Sequence, residues 1–489
     1  MSTTISSTSA ADPRRWLALA VIATATLMVV LDASIVNIAL PQAQAELRIS
    51  DANRHWVITA YALAFGGLLL LGGRIADFAG RKRAFVIGLV GFAGASAFGG
   101  FAENAAMLFG ARALQGVFAA LLAPAALSLI AVTFTEPREQ AKAFGVYGAV
   151  QGGGGAIGLI LGGLLTEYVS WRWCLFVNVP IALAAVLAAL PTVRESRADG
   201  DRRYDIPGAV LVTGGLVALV YGFTEAAREG AGWLAPSTLG LLAVAIVLLV
   251  AFFIVEARAA HPLLPLRVLL DRNRGGSFIA SVLISAGMFG MLLFLTFYFQ
   301  VNLGYEPLQA GLAFLPFSGG IIVASGFASA LIPRFGPKPL MVAGVAAATV
   351  ALFWLARLDA SSTFVLGVLP SLVVMSVGLG LFFVPVATIA LSGIAARDAG
   401  VASATLNTTQ QIGGALGPAL LNTLYVSAVS SYVASNRPGL AGAEALQLDS
   451  FLYGYRVAFI VAGCLFALAL LIVIFLLKAN SGAAEIHQG

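Results

Sequence analysis

Fourteen times along this chain a predominantly apolar run reaches about the 20 residues that a helix needs to cross a bilayer. The runs occupy 16–40, 56–73, 84–101, 105–133, 142–165, 173–190, 206–223, 237–255, 276–301, 311–332, 340–356, 364–394, 401–429 and 455–477. Backbone polar groups inside hydrocarbon must be satisfied within the segment, so each run predicts a helix. Composition agrees. Only 10% of the 489 residues are charged and 60% are hydrophobic, whereas soluble domains carry about 25% charge. The expected fold class is an all-α polytopic membrane protein.

The net charge of +5 would suit a nucleic-acid partner, but its distribution excludes that reading. With the N-terminus inside and the spans alternating, twenty of the twenty-eight basic residues fall on the inner side. Seven fall outside (Arg48, Arg54, Arg172, Arg228, Arg357, Arg437 and Arg456), and Arg112 lies within a span. This bias predicts a multi-pass protein of the cell membrane with both termini cytoplasmic. The polar segment 1–15 reads as a cytoplasmic tail rather than a signal peptide, since no small-residue cleavage site follows it. Cys174 and Cys464 lie in distant apolar segments and predict no disulfide framework.

The chain repeats itself. "GGAIGL" at 154–159 matches "GGALGP" at 413–418, an offset of 259. "LLAPAA" at 121–126 resembles "FFVPVA" at 382–387, and "GRK" at 80–82 is echoed by "GPK" at 336–338, offsets of 261 and 256. These offsets pair spans four with twelve and five with thirteen. Two six-helix halves separated by two inserted helices result. The expected organisation is a tail at 1–15, a first half at 16–190, a linker with the inserted pair at 191–275, a second half at 276–478 and a tail at 479–489. Such repeats are typical of secondary transporters, whose substrate site lies near the midplane between halves.

No nucleotide loop supplies energy: the four lysines, Lys82, Lys142, Lys338 and Lys478, all lack a preceding glycine, which excludes a Walker-type site within the chain. Gly153, Gly155 and Gly158 fit a dinucleotide pattern but lie inside a span, without the strand that pattern requires. Gly154, Gly158 and Gly162 instead form a one-face stripe for close helix packing. The three histidines, His55, His261 and His487, lie in loops or the tail, and no cluster predicts a metal.

Two charges break the apolar pattern. Asp32, in "LDASIVNIALP", lies eight residues before the outer end of span one at Leu40, about 12 Å deep at the helical rise. Arg112 lies seven residues into span four, about 10 Å deep. Ionisable residues inside spans are usually functional. The pair reads as a proton site in which Arg112 tunes Asp32 or replaces its proton; a purely structural ion pair is the competing reading. In "GGRIADFAGRKR" at 72–83, the cluster Arg74, Asp77, Arg81 and Lys82 reads either as a topology anchor or as a cytoplasmic latch. Polar residues within spans are candidates for lining a cavity: Asn37, Tyr61, Gln115, Gln151, Tyr298, Gln300, Asn407, Gln410 and Gln411. They equally suit interhelical hydrogen bonds.

These motifs resemble the major facilitator superfamily, and within it the fourteen-span drug:proton antiporters, over roughly 16–478. "LDASIVNIALP" is similar to that subfamily's first-helix signature, and "GGRIADFAGRK" to the superfamily's loop motif. "ARALQGVFAALLAP" at 111–124 carries the fourth-helix pattern, with Arg112, Gln115 and Gly116, and "WRWCLFVNVP" at 171–180 resembles the sixth-helix opening. One departure stands out: "GLILGG" at 158–163 has Leu159 where the antiporter motif has proline, keeping the glycines and losing the kink.

The resemblance implies a monomeric, non-enzymatic exporter of small amphipathic, often cationic, drugs, with no cofactor and the proton gradient as energy source. It assigns proton coupling to Asp32 and Arg112 and gating to Asp77 and its neighbours. Two alternatives stand beside it: export of one natural product or lipid-like molecule, and a non-transporting sensor or scaffold, which would have little need of Asp32 and Arg112.

Overall fold

A computed structural model describes residues 14–134, 136–197, 205–228, 232–259, 262, 264, 266–391, 396–436 and 443–478. The expected tails lie outside the described residues except for Arg14 and Arg15; so do 198–204 of the first half-boundary, and His261. Among the described residues there is no strand, and fourteen helices are long and apolar enough to span a membrane. In order they are α1 Arg15–Glu46, α2 Trp56–Ala79, α3 Arg81–Gly100, α4 Ala105–Thr133, α5 Arg138–Tyr168, α6 Trp173–Thr192 and α7 Ile206–Ala226. There follow α8 Pro236–Arg258, α9 Arg272–Asn302, α10 Pro307–Phe335, α11 Pro337–Leu355, α12 Phe364–Leu391, α13 Ala402–Ser435 and α14 Leu446–Phe475. Several run past the apolar limits: α14 begins nine residues before the run at 455. Hydropathy marks the part that crosses hydrocarbon, whereas helical hydrogen bonding continues into polar sequence until a breaker ends it.

An even number of spans puts the start of α1 and the end of α14 on one side, here the terminal face, opposite the distal face. The two halves use the same terminal-face device. Gly80 and Gly336, at equivalent repeat positions, both take positive φ (121° and 77°) and turn the chain into α3 and α11. Two residues on, Lys82 Nζ donates to Leu190 O near the end of α6 (2.6 Å), and Lys338 Nζ to Leu477 O just past α14 (2.6 Å). Each lysine meets carbonyls that a helix end leaves without intrahelical partners.

Glycines set the helix pairs within each half. Gly154, Gly158 and Gly162 of α5 lie against Val30, Ser34 and Ile35 of α1. Their repeat counterparts Gly413 and Gly417 of α13 lie against Val282 and Ala286 of α9. A Cβ at any of them would press on the neighbouring helix.

The halves meet through α2 with α13 and through α5 with α10. Thr59 Oγ1 donates to Ala415 O (3.2 Å), Gln300 Nε2 to Ile38 O (3.0 Å) and the Leu308 amide to Glu167 Oε2 (3.0 Å). These contacts lie toward the distal face. Among the described residues α4 makes no extended contact with α12 or α13, so the side-chain bonds that join the halves gather toward the distal face. The inserted pair, α7 and α8, covers the α2–α13 seam. Leu216 and Val220 of α7 pack with Ala62 and Leu63 of α2 and with Ala415 and Ala419 of α13. Helix α8 lies outside α7, with Leu249 and Leu242 against Gly215 and Gly222.

Replacing Gly158 by valine is expected to destabilise the purified protein by about 1–3 kcal/mol, the usual cost of overpacking, read as a lowered Tm in detergent. Gly145→Val, where nothing lies within 4 Å of a built Cβ, is expected to leave Tm unchanged.

Candidate functional site

Five helices of the first half converge on Asp32. Helix α4 supplies Arg112 and Gln115, three residues apart and therefore on one face. Gly116 lets α4 lie directly against the Tyr61 carbonyl of α2, which brings Arg112 to the α1 side chain. Arg112 Nη1 donates to Asp32 Oδ2 at 2.5 Å and to Gln115 Oε1 at 2.7 Å, while its Nε donates to Val57 O of α2 at 2.9 Å. Gln115 Nε2 and Asn178 Nδ2 of α6 both donate to Asp32 Oδ1 at 2.8 Å. Ser96 Oγ of α3 accepts from the same two amides, at 2.7 and 3.4 Å. The Tyr61 ring lies 4.5 Å from the Arg112 guanidinium, in cation–π geometry.

The group is sealed. Asp32 is 0% exposed and Arg112 1%, so their attraction acts in a low-dielectric surrounding. The three donors on Asp32 are a guanidinium and two amides, with no acceptor among them, a geometry that fits the ionised carboxylate. A proton on either oxygen would face a donor and force the network to rearrange. While ionised, Asp32 holds three neighbours in place, Arg112, Gln115 and Asn178.

At the terminal face, Arg81 Nε donates to Asp77 Oδ1 at 2.8 Å, an ion pair one helical turn long. The Arg81 amide donates to Ser196 O (3.0 Å), and the Glu195 carboxylate accepts from the amides of Lys82 and Arg83 at 3.1 and 3.2 Å. An acidic side chain thus meets the N-terminus of α3, where the helix dipole favours it. Arg74 Nη1 reaches Pro262 O, in the connection after α8, at 3.5 Å. In this conformation the Asp77 ion pair stays within the α2–α3 connection and does not reach the second half.

The cavity candidates divide. Tyr61 and Gln115, read from the sequence as lining a cavity, are sealed inside the Asp32 network. Tyr298 is buried among Phe299 and Tyr455, and Asn37 is buried with its amide on Ala33 O. Gln300 serves the distal seam, and Gln411 abuts Gly66 of α2 across the halves. Gln410 is half-buried, whereas Gln151 and Asn407 are exposed. Ser96 and Asn178 escaped the sequence reading. Both are small polar residues in apolar runs, a signal shared with ordinary helix–helix hydrogen bonds.

The distal seam holds a second buried cation. Arg54, 3% exposed, projects from the first half into aromatic residues of the second, 4.1 Å from the Phe297 centroid and 4.7 Å from that of Tyr425. Its Nε donates to Asn422 Oδ1 at 2.9 Å. Beside it opens a distal cavity of about 430 Å³ between Ala45, Arg48 and Asp51 on one wall and Val301, Phe451 and Tyr455 on the other.

Comparison with known proteins places these features in a wider set. The family model described as Major Facilitator Superfamily matches residues 22–418. The puromycin resistance protein pur8 of Streptomyces alboniger is 48% identical over 97% of this chain and 93% of its own length. The cephamycin export protein CmcT of Amycolatopsis lactamdurans is 40% identical over 84% of this chain and 85% of its own. Among solved structures, a bacterial homologue of the human lysosomal transporter Spinster, in an inward-facing and unoccupied conformation, superposes with a TM-score of 0.64. It shares 17% identity over 94% of this chain and 96% of that one, a likeness of fold.

Removing one partner of a buried ion pair strands the other, at a cost of about 3–5 kcal/mol. Arg112→Gln is therefore expected to lower Tm sharply. In a double-mutant cycle with Asp32→Asn, the two losses should fall short of additivity by about 1–3 kcal/mol. Additive losses would mean that the two residues do not act as a pair.

Proposed function

Because the chain belongs to the major facilitator superfamily, we propose that it exports small amphipathic, often cationic, organic compounds in exchange for protons. The observation that carries the coupling is the sealed Asp32–Arg112 pair, and we take the conformation, with its halves joined toward the distal face, as the one open to the terminal side. The excess of basic residues makes that face cytoplasmic, in the cell membrane, with both termini inside.

In this conformation Asp32 is charged, paired and shielded, and the carrier is ready to load substrate from the cytoplasm. Reorientation exposes the site to the distal side, where substrate leaves and Asp32 takes a proton. Neutralising Asp32 removes the charge-assisted bonds from Arg112, Gln115 and Asn178. The three helices they tie together, α1, α4 and α6, are then free to shift, and the carrier returns with its proton. Proton release to the cytoplasm restores the pair. Asp32 does not reach the substrate in the terminal-open state, since no surface of it is exposed; the two compete through conformation rather than for one position. The chain uses no cofactor and makes no covalent step; the proton gradient supplies the work, and a monomer contains the whole path.

A narrower reading, export of one natural product, draws support from two relatives, one named for puromycin and one for cephamycin. A panel of unrelated cationic dyes and antibiotics separates the two: broad transport favours the first reading, a single transported compound the second.

Reconstituted into vesicles, the wild type is expected to accumulate substrate against its gradient when an opposing pH gradient is imposed. Asp32→Asn is expected to lose this accumulation while retaining substrate–substrate exchange, which moves no net proton. Gradient-driven accumulation equal to wild type would remove Asp32 from the coupling role.

A further inference from the structure

His55 immediately precedes α2, and three parts of the molecule close over it. Its Nε2 lies 3.2 Å from Thr224 Oγ1 of the inserted helix α7. Its Nδ1 lies 3.5 Å from Asn422 Nδ2 of α13, in the second half. Its ring lies 5.6 Å from that of Trp56. The residue is fully buried, although its place in the sequence is a loop between spans.

The charged and titratable groups around this junction are Arg54, Asp51, Tyr425, Tyr455 and Glu225. Arg54 comes from the same turn and carries its charge beside the imidazole. Asp51 is taken up by Gln44 Nε2 at 2.7 Å and by Arg54 at 3.6 Å. The rings of Tyr425 of α13 and Tyr455 of α14 lie 5.2 Å apart and tilted, on the Arg54 side. Glu225 of α7 is held by Ser237 Oγ at 3.0 Å and Arg228 at 3.5 Å. Among the described residues no carboxylate hydrogen-bonds to the ring. The closed junction therefore accommodates the neutral imidazole: burial, opposed by a hydrogen bond with the Ala52 backbone and reinforced by the Arg54 charge, pushes His55 down to about 3.

We propose that His55 is a second proton-binding site, available only when the distal seam is open and loaded from the distal side. Opening that face requires α2 to part from α13, which breaks the contact with Asn422 and admits water to the ring. A solvated imidazole binds protons at about pH 6.5. The closed seam offers the ring only neutral acceptors, the Ala52 backbone and Thr224 Oγ1, against burial and the Arg54 charge, so the proton must return to the distal side before the halves reclose. It is distinct from the proton carried by Asp32, because it never crosses. Its effect is to hold the distal face open in acid. Between about pH 7.5 and pH 5.5 the ratio of distal-open to distal-closed molecules should rise roughly tenfold, the ratio of ring protonation available to the open state alone.

This inference rests on the alternating opening of the two faces and needs no substrate for its test. Spin labels at Ala45 and Phe451, on opposite walls of the distal cavity, report the seam distance in the full chain after Cys464, which is exposed, is replaced by serine. Acid is expected to enlarge the long-distance population in the wild type and in Asp32→Asn, and not in His55→Gln, which keeps hydrogen-bonding capacity without titrating. An acid response that survives His55→Gln, or vanishes in Asp32→Asn, overturns the proposal. Arg54→Ala, which cuts the seam by another route, separates the two levels of failure. If it opens the distal face and acid still has no His55-dependent effect, the proton site is wrong and the alternating opening stands. If the distal face stays shut even then, the alternating opening fails and the proton site with it. Should His55→Gln fail to fold, histidine NMR of a His261→Gln/His487→Gln chain reads the ring directly. A titration near pH 6.5 that tracks the open population is expected; a ring that never titrates overturns the proposal.

Discussion

A carboxylate held by a guanidinium inside the membrane governs how the first half is built. Either charge alone would be costly in hydrocarbon. Together, at 2.5 Å and with Gln115, Asn178 and the Val57 carbonyl completing their hydrogen bonds, they become tolerable. The same bonds link α1, α2, α4 and α6 at one point, with Ser96 adding α3 through the two amides. The carboxylate itself binds α4 and α6 to α1, and its partners extend the network to α2 and α3. The proposed coupling draws on this leverage, which a pair on a lipid-facing surface would lack.

The second half supplies no such pair at the repeat-equivalent place, and the repeat shows in its mechanics instead. Gly154 and Gly158 with α1 have their counterparts in Gly413 and Gly417 with α9. Lys82 at the end of α6 has its counterpart in Lys338 at the end of α14. Small-residue faces pack the helices of each half closely. The distal seam is closed by Arg54 among Phe297 and Tyr425, by Asn422, and by Glu167 on the start of α10. The inserted helices lie over the α2–α13 seam, with Thr423 Oγ1 on Phe223 O at 2.8 Å and Thr224 on His55. Their position makes them participants in whatever that seam does.

Much of this was legible in the sequence, for identifiable reasons. Twenty apolar residues have one stable arrangement in a bilayer, so hydropathy located all fourteen spans. The helical rise is fixed, so Asp32 and Arg112 could be placed at similar depth, and they are in contact. What sequence did not convey is which faces turn toward each other. Tyr61 and Gln115 look like cavity residues until α2 and α4 are seen to close around Asp32. Ser96 and Asn178 cost too little in an apolar run to attract notice. His55 reads as a loop residue because its burial comes from α7 and α13, each more than 160 positions away.

The account turns on whether Asp32 exchanges its proton as substrate binds. Proton release measured with a pH indicator, on adding substrate to the purified protein in weakly buffered detergent solution, addresses this without vesicles or gradients. At a pH where part of the population carries the proton, the account predicts release in the wild type and none in Asp32→Asn. Release of equal size in the variant, or substrate binding by the wild type with no release at any pH, would contradict it.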